Sequence, residues 1–90
     1  MKKEEIIHEV EEICKKHSVE HLFLFGSYAK GTETPTSDMD FFIIGGQNIG
    51  ELRDEIDRIK TLKKIDLLQY ESCKNQYLKE DMELYGKEIY

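Results

Sequence analysis

Phe25-Gly26-Ser27-Tyr28-Ala29-Lys30-Gly31, followed after a polar stretch by Ser37-Asp38-Met39-Asp40-Phe41-Phe42, is the segment whose reading sets the fold of this chain. His21 to Phe25 is a short apolar run with two phenylalanines, and Gly26-Ser27 closes it, which predicts a buried strand ending in a tight turn. Tyr28-Ala29-Lys30 continues as a short helical turn with Gly31 as its stop. Thr32 to Ser37 holds Thr, Ser and the only proline, so it reads as a loop. Asp38 to Ile44 is a second strand, because Phe41 to Ile44 is aromatic and β-branched and Gly45-Gly46 ends it.

Working outward, Ile6, Val10, Ile13 and His17 recur at helical spacing, with Ile7 and Cys14 widening the stripe, so residues 3 to 17 form an amphipathic helix whose Glu and Lys face water. Ile49, Leu52, Ile56 and Ile59 define a second long helix over residues 49 to 61. Ile65 to Tyr70 is a third strand with Asp66 lodged in its apolar run. Ser72 is placed to cap a last helix in which Leu78, Met82 and Tyr85 share a face, with Gly86 as terminator and Lys87 to Tyr90 as a short edge strand. This order implies an α/β (α+β) fold, a mixed three- to four-stranded sheet covered by helices.

Ninety residues fit one small domain, expected to span 1 to 90. A chain of this length buries only about 60 to 65% of the surface it exposes unfolded, which favours a homo- or hetero-oligomeric partner over an apolar face. The formal net charge of −6 argues against a stable grip on a nucleic-acid backbone. No segment has the length and apolarity of a signal peptide or membrane span, and Cys14 and Cys73 stand far apart, so a reduced, cytoplasmic setting is expected. No internal repeat, low-complexity tract or linker interrupts the chain.

Three features of the central segment carry chemistry. A glycine at a strand end lets the backbone turn sharply and approach a ligand, while Ser27 adds a hydroxyl and an N–H at the start of a helical turn, together a phosphate cradle. Asp38 and Asp40, two apart on one strand, point to the same face. At about 4 Å and an effective dielectric near 20, such a pair costs about 4 kcal/mol, so one carboxyl stays protonated or a cation sits between them. Mg²⁺ suits that place, because it takes carboxylate oxygens and completes its shell with phosphates and water.

Gly26-Ser27 followed by Ser37-Asp38-Met39-Asp40 resembles the Gly-Ser…Asp-x-Asp signature of the DNA polymerase β nucleotidyltransferase superfamily. The run Phe25 to Phe42 is similar to its minimal branch, whose members pair with helical HEPN proteins in toxin–antitoxin operons. The resemblance implies that Gly26, Ser27, Lys30 and Ser37 contact the triphosphate, that Asp38 and Asp40 ligate metal, and that Asp66 is the third carboxylate, sharing the metal and activating the attacking hydroxyl. It further implies a two-ion Mg²⁺ site, ATP as donor of AMP, and a HEPN-type partner whose hydroxyl is the acceptor, with this chain as antitoxin. Lys30 stands where arginine is common, keeping the charge without the bidentate geometry, and Met39 and Phe41 replace the usual aliphatics.

Plainer readings exist for each residue. A Gly-Ser turn occurs in many folds without a ligand, Asp38 serves equally as a turn residue after Ser37, and Asp66 as a solvent-facing edge position. Asp40 is harder to dismiss, since it precedes four apolar residues where an unpaired carboxylate is costly to bury. Ser27 sits in no Gly-x-Ser-x-Gly elbow, and His8, His17 and His21 are scattered as surface or core histidines. Two other functions fit the same pattern: a non-catalytic nucleotide-binding module that neutralises its partner by occlusion, and a small-molecule nucleotidyltransferase, whose usual extra helical domain has no room here.

Overall fold

A computed structural model describes residues 1–90. Its elements run α1 (Lys3–Lys16), β1 (Val19–Phe25), α2 (Ser27–Lys30), β2 (Met39–Gly45), α3 (Ile49–Asp57), β3 (Ile65–Gln69), α4 (Gln76–Tyr85) and β4 (Lys87–Glu88). The sheet has the order β3-β2-β1-β4, with β1 antiparallel to both β2 and β4 and β2 parallel to β3. A parallel neighbour needs a crossover, and α3 supplies it. The mixed four-stranded sheet with its helices is the α+β class read from the sequence.

Alternation along β2 divides the molecule into two faces. Met39, Phe41 and Ile43 enter the larger core with Ile6, Val10 and Cys14 of α1 and Leu52 and Ile56 of α3. Each fully buried aliphatic side chain there contributes about 1.5 to 3 kcal/mol relative to exposure. Asp40 and Phe42 face the other way, where Phe42 joins Phe25 and Met82 in a smaller core under α4. The Phe25 and Phe42 rings lie 4.8 Å apart, centroid to centroid. The stripe read along α1 is therefore its packing face, and Cys14 is a core residue within it.

Buried His17 fastens the far end of the sheet. Its Nδ1 donates to the Gln47 carbonyl at 3.2 Å, and its Nε2 pairs with Glu55 of α3, which also holds Lys16. On the opposite rim, β3 is an edge strand, and the Arg53 guanidinium donates to its Leu67 carbonyl at 2.8 Å.

Several boundaries differ from those the sequence predicts. The second strand begins at Met39, leaving Asp38 in the preceding loop. The helix expected to reach residue 61 ends at Asp57, yet Ile59 still packs against the core from the following turn, which is why the apolar spacing runs past the helix. Asn75, not Ser72, caps α4, its Oδ1 accepting from the N–H groups of Tyr77 and Leu78 at 3.0 and 3.2 Å. Both residue types cap well, and the start that puts Leu78 and Met82 on the sheet prevails. Tyr85 does not share that buried face, being 57% exposed beneath the Lys30 ammonium. Gly86 ends α4 in an extended conformation, where a Cβ would fall 2.3 Å from the Met82 carbonyl.

Candidate active site

One row across the sheet assembles the site. Phe25 is paired with Asp40 on β2, and Asp40 with Asp66 on β3, so a phenyl ring and two carboxylates stand side by side on the face away from α1 and α3. Neighbouring strands lie about 4.8 Å apart, which brings the two acids into direct contact range. Burial beside Phe25 is the largest influence on Asp40, followed by the charges of Asp66 and Asp38 and a hydrogen bond with Asp66, against which Lys64 pulls weakly; together they push the Asp40 carboxyl up to about 6. Asp66 is 42% exposed, with the Lys64 ammonium 3.9 Å away.

Gly26 serves this carboxylate directly. It turns with φ +75°, and a Cβ at this position would lie 2.7 Å from Asp40 Oδ2. The absent side chain leaves room for the acid, and the positive φ carries the chain abruptly from β1 into α2. The N–H groups of Ala29 and Lys30 both donate to the Gly26 carbonyl at 3.1 Å, so the α2 turn is tied to the glycine. The N–H groups at the start of such a turn have no partner within it.

The other predicted residues are distributed unevenly. Asp38 is exposed, one residue before β2, and acts on Asp40 through its charge. No three His, Cys, Asp or Glu side chains are arranged to hold a metal ion as they stand, so a ligand set of Asp38, Asp40 and Asp66 is not preassembled. The Ser37 hydroxyl closes its own loop, accepting from the Thr34 N–H at 2.8 Å. Lys30 pairs with Asp81 of α4 at 2.9 Å and lies 5.1 Å from the Tyr85 ring centroid, turned toward the helix.

Two residues escaped the sequence reading. Lys63 donates to the Pro35 carbonyl at 3.0 Å and stands 5.4 Å from the Tyr28 ring centroid, tying the loop before β2 to the strand bearing Asp66. The Lys64 carbonyl accepts from the Met39 N–H at 2.9 Å while its ammonium faces Asp66. A lysine pair directly before an acid-bearing strand was the available signal. Beside the acids opens a cleft of about 690 Å³ bordered by Phe25, Asp40, Asp66, Arg53, Lys63 and Lys64. Gly26 and Ser27 do not line it, although their neighbour Phe25 does.

Residues 8–90 match the family model described as polymerase beta nucleotidyltransferase. Two proteins of Methanocaldococcus jannaschii are similar in sequence. "Putative protein adenylyltransferase MJ1379" is 33% identical, over 83% of this chain and 89% of its own length. "Putative protein adenylyltransferase MJ0126" is 32% identical, over 80% and 78% respectively. Among solved structures, a toxin–antitoxin with AMP-PNP superposes with a TM-score of 0.73 at 22% identity, covering 92% of this chain and 71% of that one. A mutant form of the toxin–antitoxin MntA-HpeT superposes with a TM-score of 0.66 at 24% identity, covering 100% and 72%. These two likenesses concern the fold.

Proposed function

This chain belongs to the polymerase β nucleotidyltransferase family, and from that premise we propose that it transfers AMP from ATP to a hydroxyl on a HEPN-type partner protein, silencing that partner as an antitoxin in the cytoplasm. The observation that carries the reading is the row in which Asp40 and Asp66 meet beside Gly26. Burial first, and then the charge of its neighbours, pushes one of the paired carboxyls up to about 6, the kind of crowding that a bound cation relieves. The oxygen donors of Asp40 and Asp66, joined by Asp38 swinging in from its loop, fit Mg²⁺. When bound, one or two such ions supply charge neutralisation at the phosphates and a lowered pKa for the attacking hydroxyl.

The chain's own residues do the rest. Ser27 and the backbone of the Gly26 turn hold the triphosphate, with Ser37 and Lys30 at its margin, Lys30 having first to leave Asp81. The acceptor oxygen bonds to the α-phosphorus, the bond from that phosphorus to the β-phosphate oxygen breaks, and pyrophosphate departs. Asp66, the more open of the two paired acids, takes the proton of the acceptor hydroxyl. Related proteins bear names of protein adenylyltransferases, and solved relatives of the same fold are toxin–antitoxins, one with AMP-PNP, which supports both the donor and the partner class.

The test is transfer of label from α-labelled ATP, with Mg²⁺, to the HEPN-type protein. Asp40→Asn is expected to reduce labelling at least about a hundredfold, the scale lost with a group that acts in the transition state. Labelling by Asp40→Asn equal to wild type would overturn the site. ATP binding without any transfer, together with partner neutralisation that survives Asp38→Asn, would make the chain an occluding module instead.

A further inference from the structure

Residues 58 to 64, Arg-Ile-Lys-Thr-Leu-Lys-Lys, contain four of the chain's thirteen Lys and Arg and no acid, within a chain of net charge −6. The segment is the turn between α3 and β3, and Leu62 at its tip is fully exposed, at 107%. Arg58 and Lys60 are exposed and form no ion pair, although Glu9, Glu12 and Glu55 border the same shallow groove, and Glu55 is engaged by Lys16 and His17. At its other end the turn supplies Thr61, Lys63 and Lys64 to the cleft beside Asp40 and Asp66.

We infer that this turn is a docking arm for the protein substrate, and that it selects an acceptor whose hydroxyl lies in an acidic segment of polypeptide with an apolar contact for Leu62. The inference rests on the proposed transfer to a protein hydroxyl. The turn runs directly into the strand bearing Asp66 and borders the same cleft, so a segment seated on it brings its hydroxyl to the open carboxylate. Local positive charge on an otherwise acidic protein attracts an acidic partner and repels basic ones. A nucleic-acid backbone has no use for an exposed leucine, the segment offers no aromatic ring for a base to stack on, and the net charge opposes it.

The probes are two hydroxyl-bearing random copolymers, poly(Glu,Tyr) and poly(Lys,Tyr). Binding is read by fluorescence anisotropy of labelled copolymer without nucleotide, and transfer by incorporation from α-labelled ATP. Poly(Glu,Tyr) is expected to bind at least about tenfold tighter than poly(Lys,Tyr) at low salt and to lose that preference as salt screens the contact. Leu62→Asp should raise Kd and KM for poly(Glu,Tyr) about tenfold with kcat within about twofold, whereas Leu62→Lys, in which the added charge offsets the lost apolar contact, should raise them by no more than about threefold. The Arg58→Gln, Lys60→Gln double variant should behave like Leu62→Asp, and all three positions are exposed, so unchanged circular dichroism and Tm would show intact folding. Equal binding of the two copolymers, equal losses from Leu62→Asp and Leu62→Lys, or preferential binding of a single-stranded RNA oligomer by the same residues would overturn the inference. Copolymer binding is independent of turnover: absence of Mg²⁺-dependent ATP binding or transfer in the wild type, with copolymer preference intact, would sink the enzymatic reading and with it the turn's role in selecting an acceptor, leaving only a surface that binds acidic polypeptide.

Discussion

Replacing Asp40 by Asn should stabilise the metal-free protein, and the effect should depend on pH. The Asp40 carboxyl rises from 3.8 to about 6, first through burial beside Phe25 and then through Asp66 and Asp38. Because the folded value exceeds the unfolded one, the native state favours the protonated acid. The ionised acid works against folding: the penalty is absent below about pH 4, grows between 3.8 and about 6, and is complete above that range. At about 1.4 kcal/mol per pH unit the full penalty is about 3 kcal/mol, and solvent reaching this partly buried group reduces it to about 1 to 1.5 kcal/mol. Asn keeps the shape without the charge. For a domain of this size, that gain corresponds to a Tm about 5 to 10 °C higher at pH 7.5 in EDTA, shrinking toward zero at pH 4. Added Mg²⁺ should raise the wild-type Tm at pH 7.5 and leave the Asn variant unmoved. Differential scanning calorimetry at the two pH values decides the matter. An unchanged or lower Tm for Asp40→Asn at pH 7.5, or a gain that persists at pH 4, would refute the claim that burial and charge crowding strain this row.

Gly26→Ala should lower stability by about 1 to 3 kcal/mol in urea unfolding and remove Mg²⁺-dependent nucleotide binding, since the new methyl falls 2.7 Å from Asp40 Oδ2 on a backbone with φ +75°. The Cys14 thiol, pushed up to about 12 by burial, should resist a thiol reagent at pH 8 until the protein unfolds, while half-buried Cys73 reacts first. Mass spectrometry of partly labelled protein distinguishes them, and early labelling at Cys14 would show that α1 opens readily from the sheet.

The elements that stood out in the sequence are those whose local chemistry and packing agree. Gly26 ends an apolar strand and also makes room for Asp40, so one residue type answers both demands. Asp40 and Asp66 interrupt apolar strands, and their pairing across β2 and β3 is the outcome such costly placements suggest. The misplaced features depend on contacts between distant parts of the chain. The end of α3 was hidden because Ile59 keeps reaching the core after the helix stops, and the choice of Asn75 over Ser72 depends on where Leu78 and Met82 land. Asp38 falls outside β2, a one-residue displacement that leaves it exposed. Lys63 and Lys64 reach the site through the Pro35 carbonyl and Asp66, partners that folding alone brings near.

The strand bearing Asp66 lies at the rim of the sheet, where bare backbone groups invite strands from other molecules to add on. Here the Arg53 guanidinium already occupies the Leu67 carbonyl, and a carboxylate stands one residue away. An incoming strand must displace the first and crowd the second. Nucleotidyl transfer calls for an acid open to its substrate, and that same openness, fringed with charge, keeps a small sheet from becoming the seed of a larger one.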